Sequence, residues 1–462
     1  MESPKIFFAR LRDIAGRLDP RYHSPLFSNN ISRIRMGRCA TVGDCCEMSE
    51  ETWNKVALFP DMFPYVEIGA INTEDGDIVT IEEIPTAEAP SRAQMVIRSG
   101  DIIVSMTRPT RNAIARVTTD IDTAIASTGF AVIRSVDRSI ILPDYLFHVL
   151  RLEFCTLQFD QRSSGGNYPA VTKEDLLKIL IPLPPPDVQR QLVAELDAAY
   201  AAKRKADEKA IKLLATIDDM VLKELGITKL PKPDTSLSSR IFTVPAKEAT
   251  NGRLDAYYYK SSFKELGRKL SCCNCVPFGS LIAEIYNGID CRDYKEKGVP
   301  YLKVANVKPG EFDFDDLKYI ELRELGAKDI ALRAGRMLLT RKGTFGNAIA
   351  LSEDYDYAIS SEVFCLSIKN ELVDVHYLET FVNSSIGRML CDKYKIGTIM
   401  GSLSQEAVKA LPIPLPDAKV QHRIASRASS IRTEARKLKA DATAALDAAK
   451  RKIEEMVVKN KR

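Results

Sequence analysis

One unit of structure is written twice in this chain, and that repetition limits the fold more than any other feature of the sequence. RLDPRYH, starting at Arg17, returns as RLDAYYY at Arg253, an offset of 236. PYVEIGAIN at Pro64 returns as PYLKVANV at Pro300, again 236 residues on. IRSGDIIVSMTRPTRNAIARV is echoed by LRAGRMLLTRKGTFGNAIALS, with Asn112 falling on Asn347. AIASTGF at Ala124 answers AISSEVF at Ala358, and DLLKILIPLPPPDVQRQ answers AVKALPIPLPDAKVQHR, with Gln189 on Gln421 at an offset of 232. Blocks that keep their order while the offset drifts by a few residues are a tandem duplication. A chain of 462 residues is too long for one core, so two like domains are expected.

Within each copy, short β-rich runs (DIIVSM, FAVIR, RMLLT, FCLSI) lie between Gly, Asn and Pro turns. Helical stretches interrupt them over 144–158 and 376–393, which predicts an α+β domain. Each copy then reaches a proline stop, LPLPPPD or LPIPLPD, where Asp187 and Asp417 are predicted N-caps. About 40 residues almost free of Gly and Pro follow, and Gly226 ends the first such stretch.

These stretches read as long helices with a narrow apolar stripe. Leu192, Leu196, Ala199, Ala206, Ala210, Leu213, Ile217 and Met220 form the central one. Ile424, Ala428, Ile431, Ala435, Leu438, Ala442, Ala445, Ala449 and Met456 form the C-terminal one, in alternating three- and four-residue steps. A helix of that length spans ~60 Å, more than a domain of this size is wide, so an antiparallel pair of long helices is expected rather than purely local packing. The organisation predicted is a globular domain over 1–186, a long helix over 187–226, a second globular domain over 227–416 and a second long helix over 417–462.

Composition narrows the function classes. A formal charge of +4 permits nucleic-acid binding without demanding it. No apolar run approaches the roughly 18 residues of a membrane span, so a cytoplasmic protein with no membrane partner is expected. Ten cysteines fall locally as Cys45-Cys46 and Cys272-Cys273-x-Cys275, away from His23, His148, His376 and His422. Neither group has zinc spacing, and the expectation is no metal site and reduced thiols. The chain has no GxxxxGK[ST] phosphate loop, no glycine-rich methyltransferase loop with an Asn/Asp-Pro-Pro-aromatic motif, and no convincing nuclease or nucleophile–His constellation. No catalytic residue is expected.

The duplicated start, the SGD and AGR turns that open an apolar strand, and the IPLPPPDVQRQ and IPIPLPDAKVQHR junctions resemble the specificity subunits of Type I restriction-modification systems over essentially the whole chain. The resemblance implies a non-catalytic, sequence-specific binder of double-stranded DNA serving phage defence. Each globular part would be a target recognition domain reading one half of a bipartite site, with the paired helices fixing the gap. The same helices would dock two methyltransferase subunits, and motor-nuclease subunits would complete the assembly. S-adenosylmethionine, ATP and Mg would belong to those partners. Two readers can touch one face of a duplex only at separations near a helical turn or its multiple, ~34–36 Å.

Where the copies diverge is where half-sites would be read. TRPTRN in copy one stands against RKGTFGN in copy two, and RSSGGNYPAVT against KIGTIMGSLS. Different loops on a shared scaffold imply an asymmetric target. Arg108, Arg111, Arg341 and Lys342 are candidates for phosphate contact or bidentate pairing with guanine. Ser163, Ser164, Gly166, Asn167 and Tyr168 offer small donors beside an aromatic ring, and Gly397, Thr398 and Gly401 are their counterparts. Leu192, Leu196, Leu213, Ile217, Ile424, Ile431, Leu438 and Met456 are the expected helix seam and partner-docking stripe. Tyr257, Tyr258 and Tyr259 read as half-buried core, and Asp19 and Asp255 as turn formers. The rival readings are an enzyme with cryptic motifs and a coiled-coil scaffold that never touches DNA.

Overall fold

The computed structural model describes residues 18–230, 236, 241–249, 253, 255–321, 323, 332–397 and 401–459. The chain divides into two units, Met1–Asp207 with Lys439–Arg462, and Glu208–Leu438.

In the first unit the strands are β1 (Cys39–Thr41), β2 (Cys46–Ser49), β3 (Met62–Val66), β4 (Glu82–Pro85), β5 (Ala93–Arg98), β6 (Ile102–Ser105), β7 (Ile114–Arg116), β8 (Thr123–Ser127), β9 (Phe130–Val136) and β10 (Leu180–Pro182). They form two four-stranded sheets, ordered β2-β9-β6-β7 and β4-β3-β8-β5, and a β1-β10 pair. All pairings are antiparallel except β3 with β8. The apolar run DIIVSM is continuous because both faces of its strand are covered. Ile102 and Val104 point into one core cluster and Ile103 into another, as do Ala131 and Ile133 against Phe130 and Val132 of β9. Helices α1 (Pro25–Ile34), α2 (Pro143–Leu150) and α3 (Glu153–Arg162) cover the first of these clusters.

The second unit repeats the plan with β11 (Cys275–Pro277), β12 (Ile282–Asn287), β13 (Val299–Leu302), β14 (Val307–Lys308), β15 (Glu311–Phe312), β16 (Lys318–Ile320), β17 (Arg336–Thr340), β18 (Ala348–Ala350), β19 (Ala358–Ile359), β20 (Val363–Ile368) and β21 (Pro412–Pro414). The sheet β12-β20-β17-β18 has the order of β2-β9-β6-β7, and β11-β21 matches β1-β10. The split alternation recurs: Met337 and Leu339 face one cluster, Leu338 the other. Helices α4 (Ser261–Leu270), α5 (Val375–Asn383) and α6 (Ser385–Tyr394) cover it.

Duplicated side chains lock each sheet to its long helix. Tyr145 donates to the Pro182 carbonyl at 3.0 Å and Tyr377 to that of Pro414 at 2.6 Å. Gln189 accepts from the Leu142 N–H and donates to the Pro184 carbonyl, while Gln421 does the same with Asp374 and Pro416. All four side chains are buried, so each lost bond would strand a polar group.

The predicted helices differ in detail. Where one helix was expected over 144–158 there are two, because Leu152 is extended and restarts the chain as α3. In copy two, Ser384 makes the same break and caps α6 through a bond from the Gly387 N–H. Asp417 does accept from the Val420 N–H at 2.9 Å, as an N-cap should. Asp187 does not cap: the central long helix runs Pro186–Glu224, with Pro186 in its first turn and Asp187 one residue further in. That helix stops where Gly226 turns left-handed (φ 67°) and the Ile227 N–H bonds back to the Leu222 carbonyl.

The C-terminal long helix is Ala418–Lys459. Within the first unit the two long helices run antiparallel: Lys452 bonds Glu195 at 2.9 Å and the Lys450 ammonium lies over the Tyr200 ring. Within the second, Arg423 and Arg427 both pair with Glu224. Pairing and local packing prove not to be alternatives. Leu192, Leu196, Tyr200, Leu446 and Ile453 are buried in the first unit's own core, and Met220, Ile424, Ala425 and Ala428 in the second's. Leu213, Ile217, Ile431, Leu438 and Met456 are half-buried. The C-terminal stripe shifts past Ala442, where Leu446 and Ile453 turn inward and Ala445 is exposed.

Candidate DNA interface

In each unit the two divergent segments, far apart in sequence, are joined by a β-bridge. Thr107, leaving β6, bridges Ala170, which also pairs with Ser164 across a small hairpin. Lys342, leaving β17, bridges Ser402, which also pairs with Ile396. Thus the loop after the apolar strand and the hairpin before the proline junction form one surface, built the same way twice.

In copy one that surface centres on Arg108. Its N–H donates to the Pro169 carbonyl at 2.7 Å and its Nη2 to that of Asn167 at 3.2 Å, with the guanidinium 4.4 Å from the centre of the Tyr168 ring. Arg108 and Asn112 are the only left-handed non-glycine residues among those described (φ 48° and 62°). Such a conformation costs an arginine roughly 1–2 kcal/mol, an expense common at functional loops. Here it lays the side chain along Tyr168, which is 70% exposed. Arg111, Ser164, Gly166 and Asn167 are exposed beside it, and Ser163 is turned inward to bond the Phe159 carbonyl.

Copy two puts different chemistry on the same frame. Arg341 is fixed much as Arg108 is: its N–H donates to the Glu362 carbonyl, its Nη1 to the Ser361 carbonyl, and its guanidinium lies 5.1 Å from the centre of the buried Phe364 ring. Lys342 is exposed. Gly397 is left-handed, and a Cβ on Gly401 would stand 3.0 Å from both Lys395 and the Phe345 ring. Thr398 lies outside the described residues.

Sequence reasoning missed a basic and aromatic cluster beside this second surface. Lys395 bonds Asp392 at 2.7 Å and the Tyr257 hydroxyl at 3.2 Å, and lies over the Tyr257 ring. Burial lowers its pKa, but Asp392 and Tyr257 outweigh that and the net shift is upward, so it stays cationic. Lys393 lies 4.6 Å from the Tyr258 ring centre, and Arg253 donates to the carbonyls of Tyr394 and Lys395. The tyrosines are half-buried as expected, yet they brace cations. No contiguous motif announces this, because its parts come from the start of the copy and the end of α6.

Asp19 and Asp255 each accept a backbone N–H three residues on, from Tyr22 and Tyr258, and are turn formers. Trp53 packs on Phe63 and donates to the Ala93 carbonyl. Burial pushes the Cys45 thiol up to about 11 and that of Cys46 to about 12. Among the described residues no three His, Cys, Asp or Glu side chains are placed to hold a metal ion, and no helix is long and apolar enough to cross a membrane.

The family model for the Type I restriction modification DNA specificity domain matches residues 40–213 and 287–444, once in each copy and over most of the chain. The chain belongs to this family. Its matches end within the long helices, so each family domain includes much of a long helix as well as the bridged loop surface. Among curated relatives, the Type I restriction enzyme HindI specificity subunit of Haemophilus influenzae is 28% identical over 138 residues, 29% of this chain and 30% of that one. The MjaVIII specificity subunit of Methanocaldococcus jannaschii is 23% identical over 304 residues, 62% of this chain and 63% of that one. The chain thus spans less than two thirds of the curated relatives it matches. A solved chain from work on complex assembly and conformational transition of the type I R-M system is 24% identical, with 92% of this chain and 98% of that one aligned at a TM-score of 0.49.

Proposed function

We propose that this chain is the non-catalytic, DNA-reading subunit of a Type I restriction-modification assembly, recognising an asymmetric bipartite target. One observation carries the reading: the same bridged loop surface is built twice, and its side chains differ between copies. A shared frame with unlike contacts is what two different half-sites require. Arg108, Arg111, Arg341 and Lys342 supply the cations that position a reader on phosphate or pair with guanine. Tyr168 and the small residues near it let the backbone approach a base edge. The long helices dock two methyltransferase subunits, motor-nuclease subunits join them, and S-adenosylmethionine, ATP and Mg act in those partners.

Long-read methylation sequencing tests this in a host co-expressing the chain with a methyltransferase of the same system. The expected result is a bipartite, asymmetric motif that changes on one side only when residues 1–186 are exchanged for those of another family member. Methylation unchanged by deleting the chain would overturn the proposal.

A further inference from the structure

Each copy packs a left-handed glycine in a loop tied to a long helix. Gly310 lies directly against Arg432, and Gly76 against Arg151 and Phe147, with the helix reached through Arg151 over Tyr200 and through Asp77 with Arg204. Gly76 (φ 81°) and Gly310 (φ 75°) stand in loops that follow the PYVEIGAIN and PYLKVANV blocks. A Cβ on Gly76 would lie 1.8 Å from Arg151 Nη1 and 2.7 Å from the Ile114 carbonyl oxygen. On Gly310 it would lie 2.5 Å from Arg432 Cζ and 2.8 Å from Glu379 Oε1. One residue on, Asp77 pairs with Arg204 at 2.6 Å and Glu311 with Arg436 at 3.3 Å. The two arginines stand at the offset that relates Gln189 to Gln421, so the duplication kept the joint.

Beneath the glycine the chemistry was not kept. In copy one Arg151 is buried over the rings of Phe147 and Tyr200, and its Nη2 donates to the loop carbonyls of Thr73 and Glu74. In copy two the positions of Phe147 and Tyr200 hold Glu379 and Arg432, a buried ion pair at 2.8 Å. Two unlike contacts at one place, each closed by a glycine, have in common only the position they impose.

We propose that these glycine latches fix the angle at which each recognition surface stands on its long helix, and so set the spacing between half-sites that the chain accepts. Gly76, Arg204, Gly310, Glu379 and Arg432 are then positioning residues for spacing, on the DNA-reading function proposed above. Adding one base pair moves a half-site about 3.4 Å along the duplex and turns it by roughly a tenth of a turn. A surface tied to its helix rejects that displacement, whereas one on a slack joint follows it.

The test uses the full chain with its methyltransferase on plasmids carrying the wild-type half-sites at the native spacing, one base pair shorter and one longer. Wild type methylates only the native spacing. In Gly310→Ala the ratio of shifted to native methylation rises about tenfold, as expected when a stiff register is relaxed. Gly267→Ala, whose Cβ would meet open space on α4, leaves the ratio unchanged. If Gly310→Ala does not accumulate as folded protein, Glu379→Gln supplies the same ratio. Methylation that falls equally at all spacings, or an unchanged ratio in a folded variant, overturns the inference and leaves the latch as packing. Absence of any bipartite methylation by wild type would instead sink the DNA-reading function, and this inference with it.

Discussion

Arg108 joins three properties that seldom meet in one residue: a left-handed backbone, a stacked aromatic partner and a guanidinium bonded to a loop carbonyl. The stack holds the guanidinium plane in place, so little rotamer entropy would remain to be lost in the DNA contact proposed above. Replacing Arg108 by Ala is expected to weaken specific binding by about 1–3 kcal/mol, with selectivity relaxed on one half-site only. Competition binding with half-site variants checks it, and equal loss on both half-sites would count against base reading. Arg111 has no such stack and suits phosphate. Arg111→Ala should weaken binding to all sequences alike and lower the salt slope by about one, read from a titration in salt.

Among the elements, the C-terminal long helix buries two side chains, Leu446 and Ile453, that the apolar stripe did not assign. Ile453 is fully buried in the first unit's core although it lies near the chain's end. Ile453→Ala is expected to cost about 2–5 kcal/mol, seen as faster hydrogen exchange in β6, β9 and α2. A second effect follows from charge. The Asp197 carboxylate, on the central helix, is held below the usual range by its hydrogen bond from the buried His148, 2.9 Å away. A depressed carboxylate stabilises the fold above its unfolded pKa of about 4 and loses that contribution as pH falls through its folded value. The denaturant midpoint of the first unit should therefore fall on acidification, and less steeply in Asp197→Asn.

At the scale of the whole molecule, the first unit takes elements from both ends of the chain, since Lys439–Arg462 groups with Met1–Asp207. Truncation after Leu438 is thus expected to destabilise the N-terminal unit, by removing Leu446 and Ile453 from its core and Lys452 from Glu195, while the unit containing the cut is spared. Differential hydrogen exchange on the truncated chain would show which unit loosens.

The duplication, the α+β class, the proline junctions and the two long helices were legible because each leaves a local trace: a repeated word, a period, a stop residue. So were the divergent loops, since side-chain type alone marks them. The sequence could not say that Thr107 meets Ala170 or that Lys342 meets Ser402, because those bridges close about 60 residues of chain and depend on the sheet between them. Nor could it say that Arg108 lies on the exposed Tyr168 ring while Arg341 lies on the buried Phe364 ring. The latch of Gly310 on Arg432 and Glu379 was equally silent: three residues on three elements, each ordinary in its own neighbourhood. Local propensity and repetition determined which elements exist and that there are two of each. Which side chains meet was decided only by tertiary packing, because contact depends on how strands and helices close in space, and no local window contains both partners.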